Sequence, residues 1–187
     1  MGIKSLAVFC GSKEGRDPLF TAHTAELGAI MAARGLTLVY GGGNVGLMGT
    51  IANAVLAGGG TAIGVIPQLL ADRERSHKGL TQLEIVGDMH IRKRKMYELC
   101  DAAVILPGGY GTLDEFFEMI TWNNLAIHDK TLFVLNTNDY YTHLLMHIRK
   151  MYDEGFLYED PWEKIIVIKE PGELEPYLGK MPVEAER

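Results

Sequence analysis

Two side chains stand out by their settings as able to do chemistry: the carboxylate of Glu115 and the guanidinium of Arg92. Glu115 closes the stretch Pro107-Gly108-Gly109-Tyr110-Gly111-Thr112-Leu113-Asp114-Glu115, between the apolar run Ala102-Ala103-Val104-Ile105-Leu106 and the helical pattern Phe116-Phe117-Glu118-Met119-Ile120. A strand, a turn with three glycines and a helix start together build an anion site. Glycine lets backbone approach a phosphate, and the free N–H groups at the positive helix end face it. A carboxylate in the first helical turn is held charged by the helix dipole, which suits a base or a stabiliser of developing positive charge. Asp114 is the backup carboxylate, and Glu118 reads as solvated or structural.

Arg92 lies in a basic run, Asp88-Met89-His90-Ile91-Arg92-Lys93-Arg94-Lys95-Met96. At about 100° per residue, four consecutive charges fan around most of a helix. Arg92 alone falls at helical spacing with Met89, Met96 and Leu99, on the apolar stripe. A guanidinium there needs a partner, because burying it unpaired is costly. A phosphate or the Glu115 carboxylate would supply one, and Lys93 beside it could reach the same ligand. Arg94 and Lys95 read as solvated, and His90 as structural.

Two other patterns compete for these residues. Thr112-x-x-Glu115 fits a capping box, in which the glutamate only satisfies the Thr112 N–H. Gly41-x-Gly43-x-x-Gly46 matches the dinucleotide fingerprint in letters and in its strand–turn–helix setting. That fingerprint also requires an acid about 20 residues on, for the ribose hydroxyl; Val65-Ile66-Pro67-Gln68 supplies none. A mononucleotide phosphate shared between the two glycine loops, with Gly42, Gly43 and Gly46 on one side, explains more than an NAD site. Ser76-His77-Lys78 resembles the tract carrying the Schiff-base lysine of pyridoxal-phosphate decarboxylases, but 187 residues leave no room for their large fold.

The elements that must position these groups alternate strand and helix throughout, the pattern of a parallel sheet covered on both faces. Strands are expected at Ser5–Cys10, Leu36–Tyr40, Thr61–Ile66, Gln82–Val86, Ala102–Leu106, Leu132–Asn136 and Ile165–Ile168. Helices are expected from Pro18 to Arg34 behind an Asp17 cap, from the second glycine loop to Ala57, from Met89 to Cys100 behind Asp88, from the Glu115 motif to about Ile127, and over Tyr140–Tyr152 and Glu170–Leu178. Gln68–Leu80 reads as a loop with at most a short helix, and residues from about 181 as a frayed tail. The expected architecture is one Rossmann-like, doubly wound α/β domain over residues 1–187, with a mainly parallel sheet and ligand sites at the carboxyl ends of the strands.

Composition narrows the class. A net charge of −6 disfavours bulk attraction to nucleic acid polymers or anionic lipid. Cys10 and Cys100 have neither metal-ligand nor disulfide-framework spacing, so no metal is expected. The start Met1-Gly2-Ile3-Lys4-Ser5-Leu6 lacks an apolar signal region, and no apolar run approaches the ~20 residues needed to span a bilayer. A cytoplasmic protein without a membrane partner is the expectation.

Taken together, these residues resemble the "Lonely guy" (LOG) family, once labelled lysine decarboxylase-like. Pro107-Gly-Gly-Tyr-Gly-Thr112-x-x-Glu115 is similar to its PGGxGTxxE signature, Met89-His90-x-Arg92-Lys93-x-x-Met96 to its second motif, and Gly41-Gly42-Gly43-x-x-Gly46-Leu47-Met48-Gly49 to its first glycine loop. The resemblance runs from about Leu6 to Ile168. It implies a phosphoribohydrolase that splits a cytokinin riboside 5′-monophosphate, or AMP, into free base and ribose 5-phosphate, without a cofactor. It further implies that Arg92 and Glu115 are the catalytic pair and that Glu74, Lys93, Gly109, Tyr110, Gly111, Thr112, Leu113, Asp114 and Thr121 line the nucleotide site. A homodimer, with sites completed near the subunit interface, is implied as well. The alternatives are a non-catalytic nucleotide- or molybdenum-cofactor-binding module, for which the Arg92–Glu115 pair would be superfluous, and an NAD-dependent dehydrogenase, against which the missing acid counts.

Overall fold

Apolar runs too short to cross a domain as helices pair instead as strands, and the long connections between them force parallel pairing. In the computed structural model, which describes residues 2–71 and 76–179, the strands are β1 (Ser5–Phe9), β2 (Thr37–Tyr40), β3 (Ala62–Pro67), β4 (Gln82–Val86), β5 (Ala102–Ile105), β6 (Leu132–Leu135) and β7 (Ile165–Ile168). The helices are α1 (Pro18–Ala33), α2 (Gly46–Ala57), α3 (Gln68–Ala71), α4 (Met89–Leu99), α5 (Tyr110–Asn124) and α6 (Thr142–Asp153). The seven strands form one sheet in the order β4-β3-β2-β1-β5-β6-β7, and every pair is parallel.

The chain steps outward from β1 to β4, returns to β5 beside β1, and steps outward again to β7. With a common crossover hand, opposite directions of travel place the connecting helices on opposite faces. Side chains of β1 alternate accordingly. Leu6 and Val8 pack with Leu27 and Met31 of α1 and Ile51 and Val55 of α2. Ala7 and Phe9 pack with Met96 of α4, Phe116 and Met119 of α5 and Ile148 of α6. The expectation of a Rossmann-like sheet with helices on both faces is met.

The order reverses between β1 and β5, so the loops leaving these neighbours diverge and open a crevice at their carboxyl ends. One hydrogen bond closes its base: the Gly11 N–H donates to the Pro107 carbonyl at 3.0 Å. The expected caps hold: Asp17 accepts from the Leu19 N–H at 2.9 Å and Asp88 from the Ile91 N–H at 2.8 Å.

Beyond one-residue shifts at several strand and helix ends, three boundaries differ from expectation for identifiable reasons. Helix α5 begins at Tyr110 behind a Gly109 cap and ends at Asn124. Helix α6 begins at Thr142, because Asn138 and Asp139 adopt φ of 48° and 55° and terminate a 3₁₀ turn. The segment Pro171–Tyr177 is a 3₁₀ helix with Pro176 inside it, whose missing N–H cannot serve an α-helix. The expected tail from about 181 lies outside the described residues, as does Glu74. Among the described residues no helix is long and apolar enough to cross a membrane.

Candidate active site

Arg92 is the fourth residue of α4, on the face that turns Met96 into the core. It is buried, and two of its donors are engaged inside the protein. Nη1 donates to Glu115 Oε1 at 2.9 Å, and Nε donates to the Val65 carbonyl at 3.1 Å. Val65 is the first β3 residue past the last β2–β3 pair, Tyr40–Gly64. Shortness of β2 thus leaves an acceptor where the guanidinium arrives. Nη2 passes over Gly41, where a Cβ would overlap it. Of the two partners the sequence leaves open, phosphate or carboxylate, the Glu115 carboxylate is within reach of the guanidinium.

Glu115 is only 6% exposed. Burial pushes its carboxyl up to about 7; the Arg92 charge pulls the other way, and Asp114 adds to the rise. This corrects the expectation of a carboxylate held charged by a helix start. Glu115 is the sixth residue of α5, and the first turn holds no acid; the dipole effect fades within that turn. The capping box fails for the same reason: Gly109 caps α5, with no side-chain cap bond, and Thr112 is already inside the helix.

A cavity of about 390 Å³ lies over this pair. Arg92 and Glu115 form its polar floor, and Gly109, Tyr110, Gly111 and Thr112 an amide-rich wall. Met48, Leu70 and Met89 contribute apolar lining, and Cys10, Gly11 and Ser12 from the β1 loop complete the wall on that side of the sheet end. Asp114 completes it. Burial, reinforced by the Glu115 charge, pushes the Cys10 thiol up, so this sulfur stays neutral and is no nucleophile.

The remaining expected residues fall elsewhere. Lys93 is buried against two carboxylates, Glu118 Oε2 at 2.6 Å and Asp114 Oδ2 at 3.1 Å, and reaches the cavity only through Asp114. Leu113 packs on the α4–α5–α6 side of the sheet. Thr121 is exposed, its hydroxyl donating to the Phe117 carbonyl at 2.7 Å. Gly42, Gly43 and Gly46 are not among the cavity walls. Gly46 acts one layer out: at φ 55° it lies where a Cβ would overlap the backbone of Ser12 and Lys13, and the Leu47 N–H donates to the Gly11 carbonyl at 3.1 Å; the Gly42 carbonyl instead accepts from the His77 N–H at 3.0 Å and the Gly43 carbonyl from the Tyr40 hydroxyl at 3.1 Å. The second glycine loop therefore props up the β1 loop, which the sequence reading left out of the site. Its signal was available: Gly11-Ser12 ends the first strand, beside the reversal of strand order.

With this geometry in view, likeness to known proteins becomes decisive. The family model described as "Possible lysine decarboxylase" matches residues 48–178. A protein of Rhodococcoides fascians named cytokinin riboside 5′-monophosphate phosphoribohydrolase is 48% identical over 168 residues, 89% of this chain and 85% of the relative. The chain belongs to the LOG family. An Arabidopsis thaliana member of the LOG family bearing the same name is 45% identical over 90% of this chain and 78% of its own. Among solved structures, the molybdenum cofactor binding protein of Rippkaea orientalis superposes with a TM-score of 0.70 at 19% identity, covering 94% of this chain and 95% of that one. The Chlamydomonas Moco carrier protein gives 0.68 at 18%, covering 94% and 98%. At such identities these two show the fold alone. The decarboxylase label of the LOG family model has no chemical counterpart here: among the described residues no lysine lines the cavity, and Lys78 is exposed on a turn.

Proposed function

We propose that this chain hydrolyses the N-glycosidic bond of a nucleoside 5′-monophosphate, releasing the free base and ribose 5-phosphate, with cytokinin riboside monophosphates and AMP as its substrates. The observation that carries this reading is the Arg92–Glu115 pair at the floor of a cavity walled by helix-start amides. Relatives at 42–48% identity carry the phosphoribohydrolase name.

The amides of the Gly109–Thr112 wall hold the 5′-phosphate, since the first N–H groups of a helix lack intrahelical partners. The apolar wall takes the base. The C1′–N bond then breaks with its electron pair leaving on the base nitrogen, and positive charge builds on C1′ and the ring oxygen. The Glu115 carboxylate faces that charge and accepts a proton from the water whose oxygen bonds to C1′; the leaving nitrogen takes up a proton in turn. Arg92 holds the carboxylate in place. Lys93 serves by fixing Asp114 at the cavity mouth, and Leu113 by anchoring the first turns of α5. Gly46 contributes through the β1 loop, and Gly42 and Gly43 by holding the His77 N–H and the Tyr40 hydroxyl on their carbonyls; Glu74 contributes from outside the described residues.

The test is incubation with AMP and with isopentenyladenosine monophosphate, followed by chromatography for free base. Release from either is expected. Tight nucleotide binding with no base from either would overturn hydrolysis in favour of a binding module.

The proposal includes a homodimer. Leu83 and Ile85 on β4, Ile91 on α4, and Leu125 and Ile127 after α5 are exposed apolar side chains, a pattern that marks interaction surfaces. Among the described residues, both ring nitrogens of His128, beside Trp122, are buried without a hydrogen-bond partner. Thr121, exposed on α5, serves the site across such an interface. The reaction is placed in the cytoplasm, where the two free cysteines, both buried, stay reduced.

A further inference from the structure

Three successive carbonyls enter the glycine loop, and each is held by a donor. The Leu106 carbonyl accepts from the Tyr141 hydroxyl at 2.7 Å, Pro107 from the Gly11 N–H at 3.0 Å, and Gly108 from the Tyr140 hydroxyl at 2.6 Å. In a trans peptide the N–H points opposite to the preceding carbonyl. Pinning the Gly108 carbonyl on the Tyr140 side therefore turns the Gly109 N–H to the other side. Gly109 lies on the wall between the cavity over Glu115 and a second cavity of about 380 Å³ that Tyr140 lines. Among the described residues the Gly108 and Gly109 amides have no hydrogen-bond partner.

Tyr140 is itself placed with unusual care for an exposed residue. Its ring meets Phe20 edge-on at 5.6 Å. The two residues before it, Asn138 and Asp139, occupy the left-handed region that side chains rarely adopt. Contacts to α1 and its cap hold this turn: Asn138 Nδ2 donates to Asp17 Oδ2 at 2.8 Å, and His23 Nδ1 lies 2.9 Å from the Thr137 hydroxyl. Strained turns of this kind persist where the surroundings fix them and cluster at functional sites.

We propose that Tyr140 is a positioning residue for phosphate binding, its hydroxyl fixing the peptide plane that aims the Gly109 amide at the substrate's 5′-phosphate. This rests on the phosphoribohydrolase reading. Tyr141 is the internal control. The Leu106 carbonyl it holds precedes Pro107, which has no N–H to aim, so its hydroxyl bears on stability alone.

The experiment compares wild type with Tyr140→Phe and Tyr141→Phe, measuring inhibition by ribose 5-phosphate and by adenine alongside kcat, KM and the melting temperature. Tyr140→Phe is expected to raise the inhibition constant for ribose 5-phosphate and KM about tenfold, a loss of about 1.4 kcal/mol. Inhibition by adenine should stay unchanged, and kcat within about threefold. Tyr141→Phe should lower the melting temperature and leave the ribose 5-phosphate constant in place. Unchanged phosphate affinity in Tyr140→Phe, or equal weakening toward ribose 5-phosphate and adenine, overturns the assignment. A wild type that neither releases base nor binds ribose 5-phosphate overturns the functional reading instead.

Discussion

Gly41 has no side chain at the point where the Arg92 guanidinium crosses the end of β2, and a Cβ built there would overlap Nη2. The neighbouring thioether of Met48 lies 3.3 Å from the same point, so an added methyl meets a second neighbour as well. Gly41→Ala is expected to displace the guanidinium from Glu115 while leaving the sheet intact. Base release should fall by about 10²-fold, in keeping with the cost of a misplaced catalytic group, with a single cooperative melt. Turnover at the wild-type rate would show that the pair tolerates displacement.

In the proposed reaction Glu115, its carboxyl pushed up to about 7 by burial, acts as the carboxylate. Below neutrality kcat/KM should fall about tenfold per pH unit as the free enzyme's carboxyl is protonated, and it should level off above pH 8. Glu115→Gln keeps an acceptor oxygen for Arg92 but takes no proton. It should lose about 10³-fold or more in kcat and still bind nucleotide. A limb centred near pH 6 that follows the substrate would belong to its phosphate, whose second ionisation lies at about 6.

The same raised carboxyl has a cost in stability. Its folded value stands above the ordinary 4.5, so the folded state retains a proton that the unfolded chain releases. Stability from this group is full below about pH 4.5 and is lost as pH rises to about 7, by on the order of 3 kcal/mol. Urea unfolding at pH 5 and pH 8 should show wild type losing more stability than Glu115→Gln over that interval. Parallel slopes would mean that the carboxyl is not raised.

Lys93 is buried between Glu118 and Asp114, and the Tyr97 hydroxyl donates to the same Glu118 oxygen at 3.1 Å. Removing one partner of such a cluster leaves the others poorly compensated. Lys93→Met should destabilise by on the order of 2–3 kcal/mol, the smaller end because Asp114 keeps access to water, and should move KM less than threefold. An unaltered melt with a much higher KM would place the ammonium on the substrate.

Much of this was legible in the sequence because it was local. The strands, the caps at Asp17 and Asp88, and Arg92 on an apolar stripe follow from periodicity and side-chain chemistry within a turn or two. The start of α5 was not legible, since Gly109 and Gly111 read as turn residues, yet only the first lies outside the helix. That shift moved Glu115 from dipole-stabilised to desolvated and reversed the expected direction of its proton affinity. The roles of Gly11 and Gly46 depend on which loops meet above the β1–β5 reversal, a consequence of strand order that local spacing does not encode. Leaving Gly41 out and including Gly42 and Gly43 has the same origin: all three are glycines, and only the three-dimensional path of Arg92 distinguishes them.

The inward use of Arg92 also bears on how the site handles its anion. Among the described residues the cavity brings one cation, Arg92, against two carboxylates, Asp114 and Glu115, in a chain of net charge −6. In the proposed reading the Gly109–Thr112 amides grip the phosphate at contact range. Such a grip is nearly indifferent to ionic strength, because dipoles at contact distance are little screened by salt. It also lets a dianionic product go easily, so ribose 5-phosphate departure should not limit turnover.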